Sequence, residues 1–299
     1  MSGPCRSMLY IPGDAPGMIQ HATVFGSDSI LLDLEDAVAA SEKDSARRVV
    51  RSFLRDFDFK DLIVTVRVNG ADTPYFEKDL REIIPCSPYA VRLPKCDSRR
   101  DVTEADALIT EIERENGMIP GEVQLHVMLE TALGIENAYQ IATSSARVTA
   151  LTLGGQDLTA DMGVQKTRDG WELFYARSRV ALAARAAKIS AFDTVWTDIN
   201  DPEGLYNETK TIVELGFTGK AAIHPSQIEI IHRAYRPPLH EAEMARRIVE
   251  AAGAAAREGK GVISVDGKMV DAPVVARAQN LVAMASQYDY DDDEGADDR

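Results

Sequence analysis

The sequence predicts a (β/α)8 barrel followed by a helical extension. Eight short apolar runs, rich in Val, Ile and Leu, recur along the first three-quarters of the chain, and runs of this kind fit strands covered on both faces. The segments between them are mostly long enough for a helix, the crossover that successive parallel strands require. Nearly every run ends in a polar or charged residue, and in such barrels the strand C-terminal ends build the active site.

The elements follow in order. The first run is Ser7–Ile11, followed by Pro12-Gly13-Asp14, and the second, Ser29–Leu34, runs into Glu35-Asp36. Ser41-Glu42-Lys43-Asp44 reads as a capped helix start, with Ala46 and Val49-Val50 on its apolar side. The third run, Leu62–Val68, contains Arg67 and precedes Asn69; the fourth, Ala90–Leu93, leads to Lys95. Asp101–Glu115 has helical composition and Gly117 suits its end. The fifth run, Val123–Leu129, ends at Glu130, and Ile135–Thr143 reads as one short amphipathic piece. The sixth, Val148–Leu153, leads through Gly154-Gly155 to Asp157. Leu173–Ser190 is rich in Ala and Arg with apolar residues at helical spacing. The seventh run, Phe192–Thr197, precedes Asp198; Pro202–Leu215 reads as a helix closed by Gly216; the eighth run, Ala221–Ile223, ends at His224.

Beyond residue 225 the alternation stops. Ser226–Ala234 reads as a helix, Pro237-Pro238 as a break, His240–Glu258 as an alanine-rich helix, Asp266-Gly267 as a hairpin turn and Pro273–Ser286 as a further helix. The expected organisation is a barrel over residues 1–236, a helical extension over 237–288 that covers a neighbouring subunit, and an acidic, disordered tail over 289–299. A long alanine-rich helix with no barrel strand to cover needs another surface for its apolar face, which points to a homo-oligomer.

Composition narrows the function. The chain has 299 residues, of which 45% are hydrophobic, enough for one barrel with an appendage. Its net charge is −15; the segment from Asp289 holds seven acids and one Arg, a net −6, which leaves −9 for the rest. An acidic body disfavours nucleic-acid binding, because a duplex requires a basic surface. No apolar run approaches a membrane span, and no secretory h-region is evident. Cys5, Cys86 and Cys96 form no CxxC pair, so a reduced cytoplasm is the expected location. No HExxH, GxSxG, P-loop or Rossmann fingerprint is present.

The strand ends supply the candidate chemistry. Glu130 and Asp157 close the fifth and sixth runs, so the barrel places two carboxylates side by side at its mouth. Two protein carboxylates completed by waters and substrate oxygens are a typical Mg²⁺ arrangement, and Gly154-Gly155 allows backbone to approach closely. The competing reading is a pair of solvated or salt-bridged acids. Arg67 stands in an otherwise apolar strand and needs an anion. That anion is either a substrate carboxylate or enolate, or an ion-pair partner such as Glu35 or Asp36. Arg92 and Lys95 repeat the idea one strand on; an ion pair suits Lys95 better than a Schiff base. Asp33 is expected to point inward and Glu35-Asp36 to organise the mouth, while a lone His224 is better read as a hydrogen-bonded structural residue than as a base.

At this point the motifs resemble a known family. RSMLYIPGD, DSILLDLEDAV, KDSARR, VRVNG, VRLPK, LETALGIENA, LGGQDLTADMG, AFDTVWTD, GFTGKAAIHPSQI and DGKMVDAPVV, from about residue 6 to residue 287, are similar to the citrate lyase β subunits and to the malyl-CoA and citramalyl-CoA lyases. The resemblance implies a metal-dependent aldolase-type barrel using Mg²⁺. It implies that Arg67 binds substrate, that Glu130 ligates the metal and lies against substrate, and that Asp157 is the second metal ligand; Asp36, on the loop at the mouth, is expected at the substrate site as well. It also implies that Asp271, in GKMVDAP, is an acid–base group delivered from a neighbouring subunit, in a trimer or hexamer. One departure is Gln156, where the citrate lyase subunits carry an acid. The implied reaction is cleavage of a citryl thioester, on CoA or an acyl-carrier protein, to oxaloacetate and an acetyl thioester, with citrate lyase α and γ subunits as further partners. The alternatives are a stand-alone malyl-CoA or citramalyl-CoA lyase, a related thioesterase, or a non-catalytic barrel scaffold.

Overall fold

The computed structural model describes residues 5–257, 263–288 and 290. These fall into two compact units, one reaching to His232 and one starting at Arg233.

The first unit is a closed barrel of eight parallel strands. They are β1 (Ser7–Pro12), β2 (Ser29–Asp33), β3 (Ile63–Arg67), β4 (Ala90–Leu93), β5 (Gln124–Leu129), β6 (Val148–Leu153), β7 (Ser190–Asp193) and β8 (Gly219–Ala222). Each pairs with the next, and β8 returns to β1 with Met8 opposite Ala221. The crossover helices are α1 (Pro16–Ile19), α2 (Lys43–Asp56), α3 (Phe76–Ile83), α4 (Arg99–Glu115), α5 (Ala132–Glu136), α6 (Ala138–Ala142), α7 (Gly155–Asp161), α8 (Trp171–Ala187) and α9 (Pro202–Leu215). The division between units falls within α10 (Ser226–Tyr235).

Sheet alternation explains how the barrel is filled. Met8 of β1, Leu31 of β2, Ala150 of β6 and Phe192 of β7 form one buried cluster with Cys5. These strands come from around the ring, so their side chains meet inside it and fill the lumen, as in other barrels of this kind. The lumen also takes polar residues: Thr65, Arg92, His126 and Thr152 are all buried.

The helix starts obey local rules. Ser98 and Asp101 form a reciprocal capping box at α4. Thr131 caps α5 by accepting from the Gly134 N–H, and Asp201 caps α9 in the same way from Gly204. Gly216 closes α9 in the left-handed region, as expected.

Three sequence expectations need correction. The seventh strand is Ser190–Asp193, not Phe192–Thr197. Its continuation is held by side chains in place of a ladder: Lys220 Nζ donates to the Thr194 carbonyl, Lys166 Nζ to Val195 and Gln227 Nε2 to Trp196. The Ile135–Thr143 piece is two short helices, α5 and α6, broken at Asn137, whose side-chain amide donates to the Asp97 carbonyl. Asp157 does not close the sixth strand, which ends at Leu153, but lies in the first turn of α7.

The second unit contains α11 (Leu239–Arg257), a hairpin of β9 (Ile263–Val265) and β10 (Lys268–Val270), and α12 (Ala272–Ala285), with α11 and α12 packed together. The hairpin turns at Asp266-Gly267, both at positive φ, which a two-residue hairpin with primed geometry requires. Asp289 and residues 291–299, most of the expected acidic tail, lie outside the described residues.

Candidate active site

Arg67 is the last residue of β3, and Asp33, its register partner, is the last of β2. The two side chains therefore emerge together, and the guanidinium forks onto the carboxylate: Nε to Oδ1 at 2.7 Å and Nη2 to Oδ2 at 2.7 Å. Nη1 lies 3.0 Å from Glu35 Oε2 and 3.6 Å from Asp36 Oδ2. The ion pair weighed from the sequence is thus real, with Asp33 as its main partner. Burial alone would depress the Arg67 pKa; the hydrogen bonds to Asp33 outweigh it and raise the value. Conversely, burial pushes Asp33 up and Arg67 pulls it lower still, so Asp33 stays charged.

The loop after β2 is fixed from several directions. Asp33 accepts from the backbone N–H groups of Glu35 and Ala37. Lys43, at the first turn of α2, donates to the Leu34 and Glu35 carbonyls at 2.7 and 2.6 Å. This clamp was not foreseen; a lysine opening a helix directly after an acidic loop is the signal that could have revealed it. Lys95 reaches Glu35 Oε1 at 3.1 Å, the expected ion pair. Asp36 is mostly exposed, at 56% of its side chain.

Glu130 follows β5 and is only 1% exposed, yet neither carboxylate oxygen has a hydrogen-bond partner among the described residues. Burial pushes its carboxyl up to about 8, the charges of Glu35 and Asp157 push the same way, and Arg67 and Lys95 offset part of this. The space it occupies depends on Gly154: a Cβ there would stand 2.5 Å from Glu130 Cγ and 3.0 Å from Oε1. Glycine at this position is therefore a steric requirement. Gly155 donates its N–H to Thr194 Oγ1 at 3.0 Å, which anchors the start of α7 and with it Asp157.

These groups fit a hard divalent cation. A buried carboxylate with two unpartnered oxygens, raised in pKa by neighbouring carboxylates, gains most from a bound positive charge. Among the described residues no group of three or more His, Cys, Asp or Glu is arranged to hold a metal. Glu130 and Asp157 would form a two-carboxylate site, the kind that leaves positions to water and substrate oxygens.

The remaining sequence candidates lie elsewhere. Asp271 belongs to the second unit and caps α12, its Oδ1 accepting from the Val274 N–H at 3.2 Å. His224 Nδ1 pairs with Ser226 Oγ at 2.7 Å, the expected structural hydrogen bond. Asp198 caps a local turn at Asn200 and is not at a strand end; that place belongs to Asp193, buried between Arg177 and Lys220.

A family model described as HpcH/HpaI aldolase/citrate lyase matches residues 6–225, the span of the barrel. The citrate lyase subunit beta of Leuconostoc mesenteroides subsp. cremoris is 43% identical over 290 residues, covering 97% of this chain and 96% of its own length. A (3S)-malyl-CoA thioesterase of Cereibacter sphaeroides is 35% identical over 282 residues, covering 94% and 95%. Among solved structures, protein CitE from Mycobacterium tuberculosis, in complex with magnesium, acetoacetate and coenzyme A, superposes with a TM-score of 0.79 at 30% identity, covering 96% of this chain and all of that one. No helix among the described residues is long and apolar enough to cross a membrane. A mouth built on the ends of β2, β3 and β5, matched by a family model along the whole barrel and by full-length relatives, leads to one conclusion: this chain belongs to the HpcH/HpaI aldolase/citrate lyase family.

Proposed function

We propose that this protein is a carbon–carbon lyase that cleaves a citryl thioester, on CoA or an acyl-carrier protein, to oxaloacetate and an acetyl thioester. The observation that carries the reading is the Glu130 carboxylate, buried and unpartnered beside Asp157 and Glu35 and within the field of Arg67 and Lys95. Such a group is costly to leave alone and serves to hold a cation against substrate. The relatives named citrate lyase subunit beta and the magnesium-bound neighbour agree with it.

Glu130 and Asp157 would hold Mg²⁺. When bound, the ion supplies Lewis acidity that makes a coordinated hydroxyl easier to deprotonate. Arg67, locked by Asp33, keeps its position while substrate enters. Its hydrogen bonds to Asp33 use two of its five N–H donors, and those left over are available to the reacting anion. As the substrate hydroxyl gives its proton to Asp271 of a neighbouring subunit and its C–O becomes the carbonyl of the oxo acid, the bond between the carbinol carbon and the carbon next to the thioester breaks; its electron pair becomes the thioester enolate, whose charge Arg67 offsets. Asp36 orders the substrate end of the loop. Protonation of the enolate carbon is assigned to Asp271 of a neighbouring subunit. The second unit would then cover that neighbour's mouth in a trimer or hexamer, with citrate lyase α and γ subunits as further partners.

The second reading is cleavage or hydrolysis of a malyl or citramalyl thioester, favoured by the similarity to the malyl-CoA thioesterase. Incubation with citryl-, malyl- and citramalyl-CoA, with Mg²⁺ and with EDTA, decides. Formation of oxaloacetate and acetyl-CoA from citryl-CoA supports the first reading. Turnover of malyl-CoA or citramalyl-CoA alone, or release of free CoA, overturns it.

A further inference from the structure

The barrel unit buries five arginines, Arg47, Arg67, Arg92, Arg147 and Arg177. Four rest on carboxylates: Arg47 on Asp79, Arg67 on Asp33, Arg147 on Glu113 and Arg177 on Asp193, at 2.7, 2.7, 2.8 and 3.0 Å. Arg92, fully buried in β4, makes no such pair among the described residues. Its Nη1 donates to the Tyr10 hydroxyl at 2.6 Å, its Nη2 meets Met8 Sδ at 3.0 Å, and its Nε has no partner. The rings of Tyr10 and Phe192 flank the guanidinium at 5.7 and 5.9 Å. Aromatic faces soften the cost of a buried cation but do not supply its counter-charge.

The placement of this cation is informative. Arg92 is the register partner of Arg67 on one side and of His126 on the other. Tyr10 lies two residues nearer the mouth than Met8 on the inward face of β1, and it is only partly buried. The Arg67 guanidinium also lies over its ring, at 5.6 Å. The Tyr10 oxygen accepts from Arg92, while its own proton has no acceptor among the described residues. On the inward faces of other strands, Thr65 Oγ1, Thr152 Oγ1 and both His126 nitrogens are buried without partners among the described residues. The lumen below the mouth thus holds several unpartnered polar atoms and one cation, Arg92, without a carboxylate among the described residues.

We propose that Tyr10, backed by Arg92, forms a carboxylate subsite there. It binds the second carboxylate of the oxo-acid half of the substrate, the group that a citryl thioester carries and a malyl or citramalyl thioester lacks. The assignment rests on the lyase reading above and deepens it. Arg67 and the Glu130–Asp157 pair handle the reacting centre, which all three thioesters share; Tyr10 and Arg92 read the group that differs. A site built to pair a buried donor with a substrate anion discriminates strongly against substrates without it.

The test compares oxaloacetate with pyruvate, which lacks the second carboxylate, by calorimetric titration of the full-length protein with Mg²⁺ present. Tyr10→Phe keeps the ring and removes the donor. It is expected to weaken oxaloacetate about tenfold, as for a hydrogen bond to a charged group, and pyruvate less than about twofold. Arg92→Met is expected to show the same selectivity with a larger loss, and KM for citryl-CoA should rise in both variants. If Arg92→Met fails to fold, Tyr10→Phe decides alone. Unchanged oxaloacetate binding, or equal losses for both acids, overturns the subsite. Wild-type protein that binds no oxaloacetate overturns the lyase reading itself, a different failure.

Discussion

Replacing Glu130 by Gln should abolish catalysis yet stabilise the metal-free protein, increasingly so as pH rises. The carboxyl moves from an ordinary value of 4.5 to about 8, through burial first and then Glu35 and Asp157. The folded state therefore holds the proton more tightly than the unfolded chain does. The stability this contributes is fully present below pH 4.5 and is lost as pH rises through about 8. At about 1.4 kcal/mol per tenfold in proton affinity, the full displacement corresponds to roughly 4–5 kcal/mol; water entry and side-chain relaxation reduce this to ~1–3 kcal/mol. A neutral amide of the same shape escapes the pH-dependent part. The assay is thermal or urea unfolding of both proteins, stripped of metal, from pH 6 to pH 9. The variant should gain on wild type across this range and level off above pH 8.5, while saturating Mg²⁺, at about 100 times its Kd, should restore ~2.7 kcal/mol to wild type only. A stability difference that ignores pH, or a Mg²⁺ response kept by the variant, would refute the reasoning.

Three further outcomes are expected. Arg67→Lys keeps the charge but loses the planar fork onto Asp33, and steady-state kinetics should show kcat/KM lowered about tenfold or more; an unchanged rate would return Arg67 to a purely structural ion pair. Gly154→Ala sets a methyl against Glu130 and Met128. It should cost ~1–3 kcal/mol of stability and weaken Mg²⁺ binding, read by titration calorimetry, whereas Gly253→Ala, in open space on α11, should do neither. Mixing inactive Glu130→Gln with inactive Asp271→Ala subunits under exchange conditions should restore part of the activity; a mixture that stays dead while exchange is demonstrated refutes a site shared between subunits.

Much of this protein was legible without coordinates. Apolar runs buried on both faces have one stable use, a sheet covered by helices, so eight of them with helical spacers predict the barrel and list its mouth residues. Glu130 and Arg67 stood out because a charge inside or capping such a run has few structural alternatives. Helix ends with local chemistry, such as Gly216 after α9, were readable because capping is decided within a few residues. What escaped involves partners distant in sequence. The Ser190–Asp193 strand ends early because Lys166, Lys220 and Gln227 take the next three carbonyls, and no local pattern announces that. Asp33 holds Arg67 more firmly than the adjacent Glu35 and Asp36 do, because parallel register sets the two strand ends side by side. Only the closed ring reveals that Arg92 is, among the described residues, the buried arginine without a carboxylate. Propensity and hydrophobic pattern determine which elements form; the pairing of charges inside them is decided when strands far apart in the chain meet across one lumen.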